Sequence, residues 1–222
     1  HERKCLMATI KVISDTEISG MKHVEGWAPD RHVYFHAQFS KPFTALLEVE
    51  GKNESSVNEV ASQNIRAILQ FGNTKQKEQI VAKVGISFVD EAGARMNLEK
   101  EAPRWDFDLY RRGAEERWEE ELSRIEVTSA DETAKTIFYT GLYHTMGQTI
   151  AQSDDYQNYT IFSLWDTFRS LHPLYTVIAP DRNEAMIRSL LQKYEEGGML
   201  PMWELASNYT GTMIGYHAVS VI

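Results

Sequence analysis

The chain has 222 residues, room for one large domain or two modest ones, and its 42% hydrophobic and 25% charged content is that of an ordinary globular protein. A net charge of −9, with no dense stripe of Lys and Arg, leaves no electrostatic footprint for nucleic acid. No apolar run approaches the roughly 20 residues that span a bilayer, and the single cysteine, Cys5, excludes an intrachain disulfide and a cysteine-based metal site.

The first ninety residues are patterned as strands. Segments 8–14 and 31–39 alternate with period two; in the second, Val33, Phe35, Ala37 and Phe39 share one face. Segment 44–49 ends at the turn signal Gly51-Lys52-Asn53. Segment 79–89 puts Ile80, Ala82, Val84, Ile86 and Phe88 on one face. No crossover helices separate these runs, so they predict an antiparallel sandwich.

From Asp90 the period becomes helical. Tyr110, Ala114, Trp118 and Leu122 form a stripe that Ile125 continues, with Glu and Arg opposite. Ser129 and Glu132 have capping-box spacing for a helix running to about Met146. Asp181 and Glu184 predict the start of another, and Gly197-Gly198 its end. The reading is multidomain, β then α: a β-sandwich portion over 1–89, a helical connector over 90–126, and the first helices of an α-helical domain over 127–222. The apolar run from Thr210 stops at Ile222 in mid-pattern, so the domain is expected to continue.

Two stretches carry candidate chemistry. In FSLWDTFRSLHPL (162–174), an acid follows Trp165 and a base stands three residues on; Asp166 and Arg169 would share one face of a helix. An indole can stack on a pyranose while a carboxylate accepts hydrogen bonds from its hydroxyls. In GGMLPMWELASNYTGTMIGYH (197–217), Trp203-Glu204 repeats the pairing of aromatic and acid, and His217 closes the run. The remaining histidines are scattered. His32 and His36 have a helical metal spacing but lie in a strand pattern. Asp154-Asp155 reads as a solvated loop. No P-loop, nucleophile elbow or dinucleotide fingerprint occurs.

Together YFHAQFSKPF (34–43), KVGISFVDEAGARMNLEKEAPRWDFD (83–108), KTIFYTGLYHTM (135–146), FSLWDTFRSLHPLYT (162–176), GGMLPMWELASNYTG (197–211) and MIGYHAVSVI (213–222) resemble glycoside hydrolase family 92, the calcium-dependent exo-acting α-mannosidases, in the family's own order. The resemblance implies an N-terminal β-sandwich and a C-terminal (α/α)6 toroid with the site between them. It implies a secreted, periplasmic or cell-surface enzyme that removes terminal mannose, α-1,2-linked among others, from N-glycan or mannan chains with inversion. It places Trp165 and Asp166 beside the terminal mannose. Arg169, Glu204 and His217 lie in family-like motifs as site-lining or supporting residues, with Arg169 expected to hold Asp166 in position.

The sequence departs from the family in two places. The family's Glu-Gly-Asn-Ala-Trp-like and Gly-Asn-Asp-Asp-Cys-Gly-like catalytic stretches are absent, so no catalytic residue and no calcium ligand is assigned. The connection between Met146 and Gln152 is also short. This chain alone is therefore expected to be inactive. A non-catalytic carbohydrate-binding or scaffold module, and another toroid sugar enzyme such as a phosphorylase, stand as alternatives.

Overall fold

The computed structural model describes residues 4–54, 57–147, 149–152, 157–160, 162–205 and 208–222; the Asp154-Asp155 doublet lies outside them. The chain divides into two compact units, His1–Phe107 and Asp108–Ile222. The expected connector, 90–126, contains a helix of the first unit and most of the first helix of the second.

The first unit holds β1 (Lys4–Val12), β2 (Glu17–Glu25), β3 (Arg31–Phe39), β4 (Thr44–Val49), β5 (Lys52–Glu54), β6 (Glu59–Ser62), β7 (Ile65–Gln70), β8 (Ala82–Ser87) and α1 (Glu91–Glu101). One antiparallel sheet runs β6-β1-β2-β3-β8, a second β5-β4-β7. The two layers share an apolar cluster. Ile18, Ala37 and Phe43 are its buried centre, with Phe35 and Phe39 from one sheet and Ala45 and Leu69 from the other packed around them. This is the sheet-rich architecture that the alternating runs predict.

The far face of the large sheet is covered too. His36 is buried on β3, and α1 packs there. On β8 the expected face is reversed. Val84 and Ile86 are 60% and 55% exposed, while Gly85 and Ser87 are buried. The reason is steric: a Cβ at Gly85 would lie 2.2 Å from the Ala94 carbonyl and 2.7 Å from Leu98 Cβ. The helix sits on the strand where the side chain is missing, so small residues, not large ones, mark the covered face. Asp90 caps α1 by accepting from Gly93 N at 2.6 Å. Glu91 then ties the helix start to the sheet, accepting from Ser19 Oγ at 2.6 Å and pairing with Lys11 at 2.8 Å. Burial raises the Glu91 pKa, but Lys11 and Ser19 outweigh it, and the net direction is down.

The second unit contains α2 (Phe107–Leu122), which begins at the boundary, α3 (Glu132–Met146), β9 (Thr149–Gln152), β10 (Gln157–Thr160), β11 (Phe162–Ser163), α4 (Leu164–Thr167), α5 (Leu171–Ile178), α6 (Pro180–Gly197), β12 (Trp203–Leu205), β13 (Asn208–Tyr209) and α7 (Ala218–Val221). Its core joins Leu142, Met146, Leu164, Tyr175, Met186 and Leu190, with Trp118, Leu122 and Ile125 of the predicted stripe packed against it. Both predicted helix starts shift by a few residues. Asp131, not Ser129, caps α3, accepting from Thr133 N and Ala134 N. At α6, Pro180 stands at the first helical position, where its missing N–H costs nothing. The α6 stop is as predicted: Gly198 takes the left-handed conformation, φ 74°.

Candidate functional site

The hydrophobic stretch 162–174 is not one helix. It is a two-residue strand, the four-residue α4, a turn at 168–170 and then α5. Pro173 supplies the reason. It has no N–H to continue a helix from α4, but it is tolerated in the first turn of a helix that restarts at Leu171. Leu164 fixes the short helix; its side chain is 1% exposed and its N–H donates to Met202 O at 3.0 Å. The next two side chains are left outside: Trp165 is 45% exposed and Asp166 is exposed.

Around Trp165 the rings form a stack. His217 lies against Phe168 with ring centroids 3.8 Å apart and planes 13° from parallel, and 5.5 Å from Trp165 at 59°. The guanidinium of Arg169 covers the Phe168 ring at 5.3 Å. Arg169 thus does not hold Asp166: among the described residues the two form no ion pair, and the turn after α4 carries Arg169 onto the aromatic ring. His217 Nε2 is buried with no hydrogen-bond partner among the described residues. Gly215, at φ 105°, makes room for it; a Cβ there would stand 2.5 Å from that nitrogen. Phe168 is the member that sequence reasoning missed, because its spacing reads as core.

Glu204 is placed differently from Asp166. It lies mid-strand in the small sheet β11-β12-β13, opposite Phe162 on one side and Tyr209 on the other. It is 6% exposed. Thr160 Oγ1 donates to Glu204 Oε1 at 2.7 Å, and Lys193 Nζ stands 3.4 Å from Oε2. Lys193, from α6, also donates to Tyr159 O. Burial pushes the Lys193 ammonium below its usual pKa, while the Glu204 carboxylate opposes that shift. Thr160 is the last residue of β10. Glu204 is therefore a buried tie between β10, β12 and α6. It holds the sheet from which α4 projects.

The outward groups are thus Trp165 and Asp166, with the His217–Phe168–Arg169 stack behind the indole. An exposed indole offers a flat apolar face, and the adjacent carboxylate offers acceptors. That pair suits a polyhydroxylated ring with one apolar side. Calcium takes six to eight oxygen ligands. Among the described residues of the second unit no three His, Cys, Asp or Glu side chains converge as a metal group. These side chains alone do not form a calcium cage. A separate cavity of about 450 Å³, lined by Leu122, Lys135, Tyr139 and Tyr143 among others, contains none of the five candidate residues.

Comparison with known proteins gives the context of this edge. Residues 1–87 match the glycosyl hydrolase family 92 N-terminal domain, and residues 93–222 match the family 92 catalytic domain. A family GH92 alpha-mannosidase from Bacteroides thetaiotaomicron is 36% identical, with a TM-score of 0.90 over 99% of this chain and 33% of its own. Its complex with mannoimidazole gives 37% and 0.89, covering 99% of this chain and 32% of its own. The family GH92 inverting mannosidase from Bacteroides thetaiotaomicron VPI-5482 is 25% identical, with a TM-score of 0.87 over 97% of this chain and 32% of its own. An uncharacterized secreted glycosidase of Arthroderma benhamiae is 35% identical over 83 residues, 35% of this chain and 11% of the relative. The plan of a sheet-rich region followed by helices is the one these family 92 structures share with this chain. It belongs to glycosyl hydrolase family 92. The chain spans about a third of the length of the solved structures that it matches.

Proposed function

We propose that this chain is the sheet-rich and early helical part of an α-mannosidase, and that Trp165 and Asp166 bind the terminal mannose of an α-mannoside such as an N-glycan or mannan chain. The observation that carries this reading is the exposed indole of Trp165 beside the exposed carboxylate of Asp166, in a family 92 chain. The mannoimidazole complex of the relative supports a mannose-type ligand. Inversion is taken from the relative named as an inverting mannosidase. Such chemistry needs an acid and a base about 6.5–9.5 Å apart. No residue here is assigned to either role; Glu204, tied to Thr160 and Lys193, is a positioning group. The proposed toroid, calcium dependence and preference for α-1,2 linkages belong to a protein carrying the family's whole length, as does secretion, which the name of the fungal relative supports.

The test uses that longer protein with Asp166→Ala and α-1,2-mannobiose as substrate. Activity should fall at least hundredfold with the melting temperature little changed, since an exposed side chain is removed. Loss of activity in chelator, restored by calcium, is the companion result. If Asp166→Ala keeps full turnover, or lowers the melting temperature in proportion to activity, the substrate-binding role is wrong. If the 222-residue chain alone binds mannose by calorimetry without hydrolysing it, the reading of a carbohydrate-binding module gains instead.

A further inference from the structure

The hairpin formed by β2 and β3 brings together three side chains that the sugar site does not use. In its register every pair sums to the same number, Glu17 with Gln38 through Val24 with Arg31, so His23 stands directly opposite His32. The loop that joins the strands returns Asp30 to the same place. Both imidazole Nε2 atoms point at one carboxylate oxygen, Asp30 Oδ1, at 2.8 Å from His23 and 3.1 Å from His32. The two rings lie face to face, with centroids 3.9 Å apart and planes 18° from parallel. All three donor atoms fall within 4.8 Å of one another.

The geometry points to a divalent transition-metal site at the tip of this hairpin, with zinc as the ion it suits. Three features argue for it. Two imidazoles and a carboxylate are a borderline-soft set that matches zinc and disfavours calcium or magnesium, which take oxygen. Zinc–ligand bonds of about 2.0–2.1 Å at tetrahedral angles put donors about 3.3 Å apart; the two observed donor separations, 2.8 and 3.1 Å, need only a small expansion. The scaffold is also firm where it matters. Cross-strand partners in an antiparallel pair have Cβ atoms about 4.5–5.5 Å apart whatever the side chain, so the sheet brings the two histidines together before any ion arrives.

The ion would take the position now bridged by hydrogen bonds to Asp30. For both nitrogen lone pairs to converge, the near-parallel rings must splay. The side chains of His23 and His32 are 24% and 35% exposed and that of Asp30 71%, which leaves room for the movement. Three protein ligands leave a fourth position open to water. Bound this way, the metal would staple the loop 26–30 to both strands. The site lies in the sheet-rich unit, and its residues are distinct from Trp165, Asp166 and the stack behind them.

The test is calorimetric titration of chelator-stripped 222-residue chain with zinc sulfate, beside His23→Ala/His32→Ala, Asp30→Asn and a His36→Ala control. The wild-type chain and the His36 control should bind one zinc per chain with micromolar affinity. The double variant should weaken it at least tenfold, and Asp30→Asn several-fold. Calcium chloride at equal concentration should give no heat from this site. Thermal unfolding supplies a second readout: zinc should raise the melting temperature of wild type and leave the double variant unmoved. If the alanine variant misfolds, His23→Gln/His32→Gln keeps the hairpin and removes the imidazoles. No saturable zinc binding by wild type would overturn the proposal; the triad would then be a hydrogen-bonded cluster. Binding undiminished in the double variant would overturn it equally, by placing the ion elsewhere.

Discussion

Lys193→Met isolates the buried tie beneath the site. In the wild type Lys193 Nζ lies 3.4 Å from Glu204 Oε2 and donates to Tyr159 O, and its side chain is 10% exposed. Glu204 is buried with 7% of its side chain exposed. Methionine nearly preserves the volume and removes the cation, so the Glu204 carboxylate is left in the interior without it. Breaking a buried pair on one side costs about 3–5 kcal/mol, mostly from the charge that remains. At about 2–4 °C per kcal/mol for a chain of this size, the melting temperature should fall by roughly 6–20 °C. Glu204→Gln is milder. Its amide oxygen still accepts from Thr160 Oγ1, and Lys193, whose pKa burial already lowers, can shed its proton; about 1–3 kcal/mol is expected. The double variant removes both charges and should be more stable than Lys193→Met alone. Urea unfolding followed by circular dichroism of all four proteins closes the cycle. A coupling below about 0.5 kcal/mol, or a Lys193→Met variant as stable as wild type, would refute the claim that this pair is buried and mutually dependent.

Two further outcomes follow from the second unit. Gly215→Ala puts a methyl group 2.5 Å from His217 Nε2 on a backbone with φ 105°, so it should displace His217 from Phe168. In the longer protein, kcat/KM on mannobiose should drop at least tenfold; unchanged kinetics would show that the stack does not set the position of Trp165. His172 governs an acid limb. Burial lowers its pKa below the ordinary 6.5, and Asn183 at 3.4 Å only partly opposes this. The fold therefore favours the neutral ring. Its contribution is fully present above about pH 6.5 and is lost as pH falls through the lower folded value. His172→Asn should flatten the stability–pH curve below pH 6.5, and an unchanged slope in urea titrations across pH 5–7 would count against it.

Some of the architecture was legible because it depends on local pattern. The alternation over 31–39 and the turn signal after 44–49 match β3 and β4, and Gly198 ends α6 where a left-handed residue was needed. What failed depends on partners distant in sequence. The alternation on β8 is real, but the covered side is chosen by α1 packing over Gly85. β2 shows little alternation because Ile18, Ser19 and Gly20 are all buried, between the second sheet and the helix. The capping box at Ser129 failed because Asp131 is a closer cap, and the start read at Asp181 shifted because Pro180 begins the helix earlier. In the site, the juxtaposition of Trp165 and Asp166 is in the sequence; Phe168 against His217, 49 positions away by number, is not. The His23–His32 pair lay between the two. Counting back from the hairpin loop gives it, whereas the helical spacing of His32 and His36 leads away from it.

Asp166 and Glu204 look alike in sequence, each an acid after a tryptophan, yet the fold gives them opposite placements. The strand pairing Phe162↔Glu204 turns Glu204 inward, where a carboxylate must be paired; Thr160 and Lys193 supply partners from β10 and α6. The same pairing ends one residue before α4. There Leu164 is drawn into the core, and Trp165 and Asp166 are turned out of it. The inward acid therefore fixes the platform, and the outward acid is the one proposed to meet the sugar. A change at Glu204 should act on activity through the position of Trp165, so it should alter affinity and turnover together and also stability. A change at Asp166 should alter activity alone. That contrast separates a group that holds the site from one that touches the sugar.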